Sequence, residues 1–241
     1  MRALLPLALV ALCGCTDDPD APGGDFDVRA ESLAVADSAL RYTARLAYPQ
    51  IAGTAPALAA ANRSLADTAR AVVALYRPPE APPSGERGFE ASVEGGFETA
   101  LLRDSLYSGL LEAYAYTGGA HGIHDIRPLN VDLRTGRALT LAEFFAPGAA
   151  WADTLAARST TQLERQLGPD VLFDGHVPAD ASTFRVFTLS ADSLVVTFPP
   201  YAVAPYAAGP QRVAFAWSSL VGVLAPSGPA RFFLPRAAPA P

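Results

Sequence analysis

Residues 114–145, YAYTGGAHGIHDIRPLNVDLRTGRALTLAEFF, constrain this chain most, because a cluster of glycines interrupts what would otherwise be one long run of strand. Leu110, Glu112, Tyr114 and Tyr116 share one face of an extended segment and Leu111, Ala113 and Ala115 the other, a pattern close to that of a buried central strand. Gly118, Gly119 and Gly122 then mark a turn whose backbone needs positive φ or a close approach that a Cβ would prevent. Leu129, Val131 and Leu133 alternate with Asn130, Asp132 and Arg134, which predicts a half-exposed strand. Arg134-Thr135-Gly136-Arg137 reads as a tight turn with Gly136 in the left-handed position. Thr140 and Glu143 make a capping-box pair ahead of Phe144 and Phe145, the signature of a helix start.

The chain opens with MRALLPLALVALCGC, residues 1–15: one basic residue, Arg2, and an apolar run too short to span a membrane stably, the form of a secretory signal. Leu12-Cys13-Gly14-Cys15 matches the bacterial lipobox, in which the last cysteine is acylated and becomes the new N-terminus; an ordinary signal peptide that happens to hold two cysteines is the other reading. With the lipobox used, Cys13 leaves with the signal, Cys15 carries lipid, and the mature globular part has no cysteine for a disulfide. Residues 16–25, TDDPDAPGGD, have the acidic, proline- and glycine-containing composition of a flexible tether. The expected location is therefore the cell envelope, with the membrane as a partner through the N-terminal lipid. Thr16 in place of aspartate after Cys15 resembles the signal for the outer membrane in a Gram-negative cell, facing the periplasm.

Roughly 215 residues follow, enough for one large domain or two small ones sharing a core. All 18 basic residues are arginine, and acidic residues exceed them by six. That balance argues against nucleic acid, whose phosphates demand a basic surface, and assists attraction to a cationic partner.

In chain order, residues 27–35 and the alternation Leu40, Tyr42, Ala44, Leu46, Tyr48 predict two strands, the second ended by Pro49. Leu58, Ala61, Leu65, Ala69, Val72, Val73 and Tyr76 form the stripe of an amphipathic helix over 56–76, a lid for a sheet. Residues 78–88 are a proline-rich loop, and strands over 89–102 and 106–116 flank a turn at 103–105. Trp151, Leu155, Leu163 and Leu167 mark a second helix that Gly168-Pro169 stops. Residues 170–182 form a polar loop, 184–189 and 194–198 a hairpin, and Val213, Phe215 and Trp217 a last strand, with Ser218 as cap of a short helical turn. The expectation is an α+β fold: antiparallel sheets with two main helices packed on them, in two related strand-helix-strand subdomains.

GGAHG before a strand, then N-x-D-L-x-T-G and L-x-x-x-F, and later PPYAVAPYAAGP, resemble the extracellular domain of the lysozyme-sensing RsiV-like anti-sigma factors. The same pair of domains precedes the catalytic domain of PdaC-type peptidoglycan deacetylases. The resemblance spans roughly residues 26–224 and implies a PdaC-like subdomain over 26–116, an RsiV-like subdomain over 117–224 and a tail over 225–241. It implies a fold, and it points to a lysozyme-like muramidase as a partner, with the proline-tyrosine segment as part of the contact surface. The deacetylase catalytic domain and the sigma-binding segment have no counterpart in the sequence, so neither activity carries over.

Two stretches are candidate sites. Pro199 to Pro210 stiffens a loop that can present Tyr201, Pro205 and Tyr206 to a ligand; alternatively the tyrosines pack inward and close a sheet edge. Gly118, Gly119 and His121 of the glycine turn are the second set of candidate ligand contacts. His121, His124 and Asp125 are the catalytic temptation, as a metal-dependent hydrolase, with His176 of a remote loop as a candidate third ligand; the other reading is a structural histidine bonding carbonyls of its own turn. No G-x-S-x-G elbow is present, and nothing in the sequence calls for a cofactor. The favoured expectation is a non-catalytic envelope protein that binds a lysozyme-like protein or peptidoglycan. The rival is a small metal-dependent envelope hydrolase.

Overall fold

The computed structural model describes residues 26–80, 89–103, 105–168 and 170–234. The signal and lipobox with Cys13 and Cys15, the tether over 16–25, residues 81–88 of the proline-rich loop and the tail from 235 lie outside the described residues. Among those described, β1 (Asp27–Asp37), β2 (Tyr42–Ala52), β3 (Ala91–Arg103), β4 (Leu106–Tyr116), β5 (Ile123–Asp132) and β6 (Arg137–Ala138) form a six-stranded sheet in sequence order. A smaller antiparallel sheet contains β7 (Phe187–Leu189), β8 (Ser193–Phe198) and β9 (Gln211–Ala216). The architecture is α+β, with helices packed on sheets.

The large sheet is not wholly antiparallel. Helix α1 (Leu58–Leu75) crosses from β2 to β3, so Tyr42–Leu46 and Ala91–Gly95 run parallel; a helix of this length is the connection that parallel neighbours require. Its apolar stripe lies on the sheet, with Ala61, Leu65, Ala69 and Val72 buried against Leu46, Val93, Leu111 and Leu129. The strand-helix-strand order recurs as β6, α2 (Trp151–Leu167) and β7, but there it leads from one sheet to the other.

Pro49 does not end β2. The strand continues to Ala52, with Pro49 opposite Ala30 of β1. The reason lies two residues on: Ile51 points its N–H and C=O away from β1, to Asn62 Oδ1 at 2.8 Å and Asn62 Nδ2 at 2.9 Å. By alternation Pro49 turns its nitrogen to that same side, which β3 has already left, so the missing N–H costs no ladder bond. A helix side chain here replaces a neighbouring strand.

The same device joins the two sheets. Ser108 of β4 and Asn130 of β5 are buried, and Ser108 Oγ donates to Asn130 Oδ1 at 2.6 Å. Asn130 Nδ2 donates to the Phe187 carbonyl at 2.8 Å, and the Leu189 N–H donates to Ser108 Oγ at 2.7 Å. Strand β7 thereby sets its outer edge on the face of the large sheet. The sequence alternation made Asn130 a half-exposed position; it is buried because this second sheet covers it. Leu106, Leu110, Ile126 and Val186 fill the space around the contact.

Four local expectations also resolve. Gly136 has φ +70 in its turn, and a Cβ there would stand 2.5 Å from Ala60 Cβ and 2.9 Å from the Ala57 carbonyl, so the turn seats on the start of α1. Thr140 and Glu143 do form a capping box, but it opens a 3₁₀ turn, Leu141–Phe144, instead of an α-helix. Phe184 belongs to a 3₁₀ turn, and the hairpin strand begins at Phe187. Ser218 lies inside the short helix α3 (Trp217–Leu220), whose cap is Ala216, because Trp217 already bonds back to Asp192.

Two predictions follow from these contacts. Asn130→Ala leaves the Phe187 carbonyl without its donor and the Ser108 O–H without its acceptor in the interior, and lowers unfolding free energy by about 3 kcal/mol, measured by urea denaturation. Glu143 accepts from Thr140 N at 2.8 Å and from Arg137 Nη1 at 3.0 Å, and the Arg137 contact leads in lowering its carboxyl from 4.5 to about 2. A carboxylate with a depressed folded-state value stabilises above its unfolded value and loses that contribution as pH falls. Wild type therefore exceeds Glu143→Gln by about 1 kcal/mol at pH 7, discounted for the exposed arginine, and the two converge as pH drops from about 4.5 towards 2. A constant gap across that range rules the assignment out.

Candidate functional site

The glycine turn and the proline-tyrosine loop, about eighty residues apart in sequence, meet in space. The β4–β5 connection carries Gly118, Gly119, His121 and Gly122, and the loop after β8 carries Tyr201, Pro205 and Tyr206. Their junction is Gly122. Its N–H donates to Tyr114 Oη at 2.8 Å, and its carbonyl lies 2.9 Å from His121 Nδ1 and accepts from Tyr206 Oη at 3.0 Å. A Cβ on Gly122 would stand 2.5 Å from the Tyr114 ring and 2.6 Å from the Ala115 carbonyl, so close approach accounts for the glycine.

The rings form a continuous surface. His121 stacks on Tyr206 with centroids 4.4 Å apart and planes at 25°. Tyr201 lies 5.4 Å from Tyr206, His124 lies 6.3 Å from it, and Tyr114 meets His124 edge-on at 5.1 Å. Tyr206 is half-buried, with its hydroxyl turned inward to Gly122, while Tyr201 is 59 % exposed. The loop thus combines both sequence readings: one tyrosine closes the structure and the other faces solvent. Tyr201 has φ +68, a left-handed conformation that a bulky residue adopts only under constraint. Pro205 is exposed beside them. Gly118 and Gly119 have φ +100 and +97, and Tyr116 Oη donates to the Gly119 carbonyl at 3.0 Å.

Asp125 does not join His121 and His124. Successive residues of β5 face opposite ways, and Asp125 points to the α1 side. There Tyr76 Oη donates to its Oδ2 at 3.0 Å, and Arg127 bonds both of its oxygens, Nη2 to Oδ2 at 2.8 Å. Burial, then the neighbouring Asp125 charge, pushes the Tyr76 hydroxyl up to about 12. His176 is distant and exposed, with Nδ1 2.9 Å from the Asp174 carbonyl. Among the described residues no group of three His, Cys, Asp or Glu side chains converges as a metal site. His121 has the geometry of a turn histidine. Sequence reasoning included the glycine turn but missed Tyr114, which the pattern assigned to a buried central strand and which is 41 % exposed.

Beside the rings runs a cleft of ≈ 250 Å³, with Tyr76 and Arg127 on one wall and Arg185, Val186 and Pro199 on the other. Arg127 is tied to Asp125, which raises its already high pKa. Arg185 is exposed, and among the described residues it meets only the Ser182 carbonyl, at 3.5 Å.

Gly122→Ala is expected to cost about 2 kcal/mol, because Tyr114 and the Ala115 backbone must both shift, and to disturb the ring surface; thermal denaturation and the near-ultraviolet circular dichroism of the tyrosines measure the two effects.

Two solved structures share this fold. A DUF3298-family member from Bacteroides fragilis NCTC 9343 superposes with a TM-score of 0.62 at 19% identity, over 87% of this chain and 97% of its own. A DUF3298-family protein from Pseudomonas aeruginosa PAO1 does so with a TM-score of 0.56 at 18% identity, over 90% and 100%. No curated protein matches the chain. Residues 142–218, which run from within the 3₁₀ turn after Thr140 into α3 and hold α2, the second sheet and the Tyr201–Tyr206 loop, match the model of a family described as "Protein of unknown function (DUF3298)".

Proposed function

We propose that this chain is a non-catalytic binding module of the bacterial envelope, held to a membrane by lipid on Cys15, whose ligand is a lysozyme-like muramidase or a cell-wall glycan. The observation that supports it most is the joining of the glycine turn to the proline-tyrosine loop at Gly122, which holds His121 and Tyr206 in a stack with Tyr201 displayed beside them. Flat amphipathic rings fixed in advance bind with little loss of side-chain entropy, and they suit both protein and sugar surfaces. Three of their polar atoms are engaged internally, since Tyr114 Oη, His121 Nδ1 and Tyr206 Oη all contact Gly122, and this fixes the orientation of the rings whose faces would meet a ligand.

The lipobox, the acidic tether and the resemblance to the RsiV-like extracellular domain place the module at the envelope in this reading. No helix of the described residues is long and apolar enough to cross a membrane.

Titration with C-type lysozyme and sedimentation with purified peptidoglycan test the two ligand classes. Tyr201→Ala is expected to weaken binding at least tenfold while leaving the melting temperature within about 2 °C, since the ring is mostly exposed. Tyr206→Ala should lose both binding and stability, because it also releases the Gly122 carbonyl. Absence of micromolar binding to either ligand removes the proposal.

A further inference from the structure

Strand β5 has an open edge. β6 pairs only with Val131 and Asp132, and Leu139 N donates to the Asn130 carbonyl at 2.9 Å, which shows that Asn130 turns its backbone groups away from β4. By the two-residue alternation Pro128, Ile126 and His124 turn theirs the same way. Among the described residues nothing pairs with them on that side. Pro128 fits this arrangement, since its absent N–H falls on the open edge. Five residues of strand therefore offer the N–H and C=O of His124 and Ile126 and the C=O of Pro128.

This edge lies at the floor of the ≈ 250 Å³ cleft. Tyr76 forms part of the wall on the α1 side, and Arg185, Val186 and Pro199 form the wall on the side of the second sheet. A trough with a strand edge at its floor presents main-chain donors and acceptors at the spacing of an extended backbone. β6 already shows that the same edge accepts an antiparallel strand. The cation on the second-sheet wall, Arg185, meets no carboxylate among the described residues, whereas Arg127 opposite is neutralised by Asp125.

We propose that the open edge of β5, from His124 to Pro128, takes an extended segment of a partner protein by strand addition, with a carboxylate of that segment on Arg185. Main-chain bonds to His124 and Ile126 supply affinity, and the acidic side chain pointing to the Arg185 wall supplies selectivity. This site adjoins the Tyr201–Tyr206 surface without using either tyrosine, so the two readings fail separately.

The test is selection of random twelve-residue peptides displayed on phage against the full chain. Enriched peptides are expected to hold an acidic residue within four or more residues free of proline. Synthetic copies should lose at least tenfold in affinity with His124→Pro, which removes an edge N–H at a position facing the same way as Pro128, and with Arg185→Glu. Replacing the acidic residue by lysine should restore binding to Arg185→Glu, and Tyr201→Ala should leave the peptides bound. On wild type, peptide binding should slow hydrogen exchange at the His124 and Ile126 amides, a readout that does not depend on either variant folding. Lack of enrichment, binding indifferent to both substitutions, or unchanged exchange at these two amides overturns the proposal. Peptides lost with Tyr201→Ala alone would do the same.

Discussion

The buried contact of Ser108 and Asn130 with β7 is the constraint on which the rest depends. A three-stranded sheet that buries an edge against another sheet must satisfy that edge, since an unpaired interior amide or carbonyl costs as much as several surface contacts contribute. Here one hydroxyl and one carboxamide do so, meeting Leu189 N–H and the Phe187 carbonyl. They also fix where the second sheet sits along β4 and β5. From there the chain leaving β8 at Phe198 has only a few residues in which to reach the β4–β5 turn, and the Tyr206 hydroxyl bonds there. Placement of the ring surface is therefore a consequence of a polar bond in the core.

Asn62 repeats the solution at β2, where its side chain pairs with both backbone groups of Ile51. Carboxamides are suited to this because donor and acceptor project side by side, as they do from a strand. The fold closes two sheet edges with side chains, and it leaves β5 between His124 and Pro128 without one. Natural sheets usually blunt such an edge, and Pro128 does this only in part. The trough beside it limits what can approach.

Much of this was readable from residues, and the division has a physical basis. Features set by local geometry were legible: the α1 stripe, the stop of α2 at Gly168, the left-handed Gly136, the Thr140 and Glu143 pair. Features set by distant partners were not. Asn130 reads as polar and outward until the second sheet is known to cover it, and Pro49 reads as a strand end until Asn62 is known to flank the strand. The parallel pairing of β2 with β3 leaves no mark in alternation, because both strands bury the same face. For the site, the glycine turn and the tyrosine loop were each visible as unusual segments. Their contact was not, because Gly122 and Tyr206 lie far apart in the chain and the bond joining them depends on the sheet packing described above.

The arrangement of His121, His124 and Asp125 shows why composition is a poor guide to chemistry here. Three such groups within five residues look like a catalytic cluster, yet a strand sends neighbours to opposite faces, and Asp125 is engaged by Tyr76 and Arg127 on the far side. A helix would have gathered them at four-residue spacing; a strand separates them. The histidines left on the outer face then act through their rings, His121 on Tyr206 and His124 on Tyr114, and the ring nitrogen of His121 serves its own turn. Their place in the ring surface follows from the secondary structure that carries them, and that surface lies beside the stretch of β5 whose edge stays open.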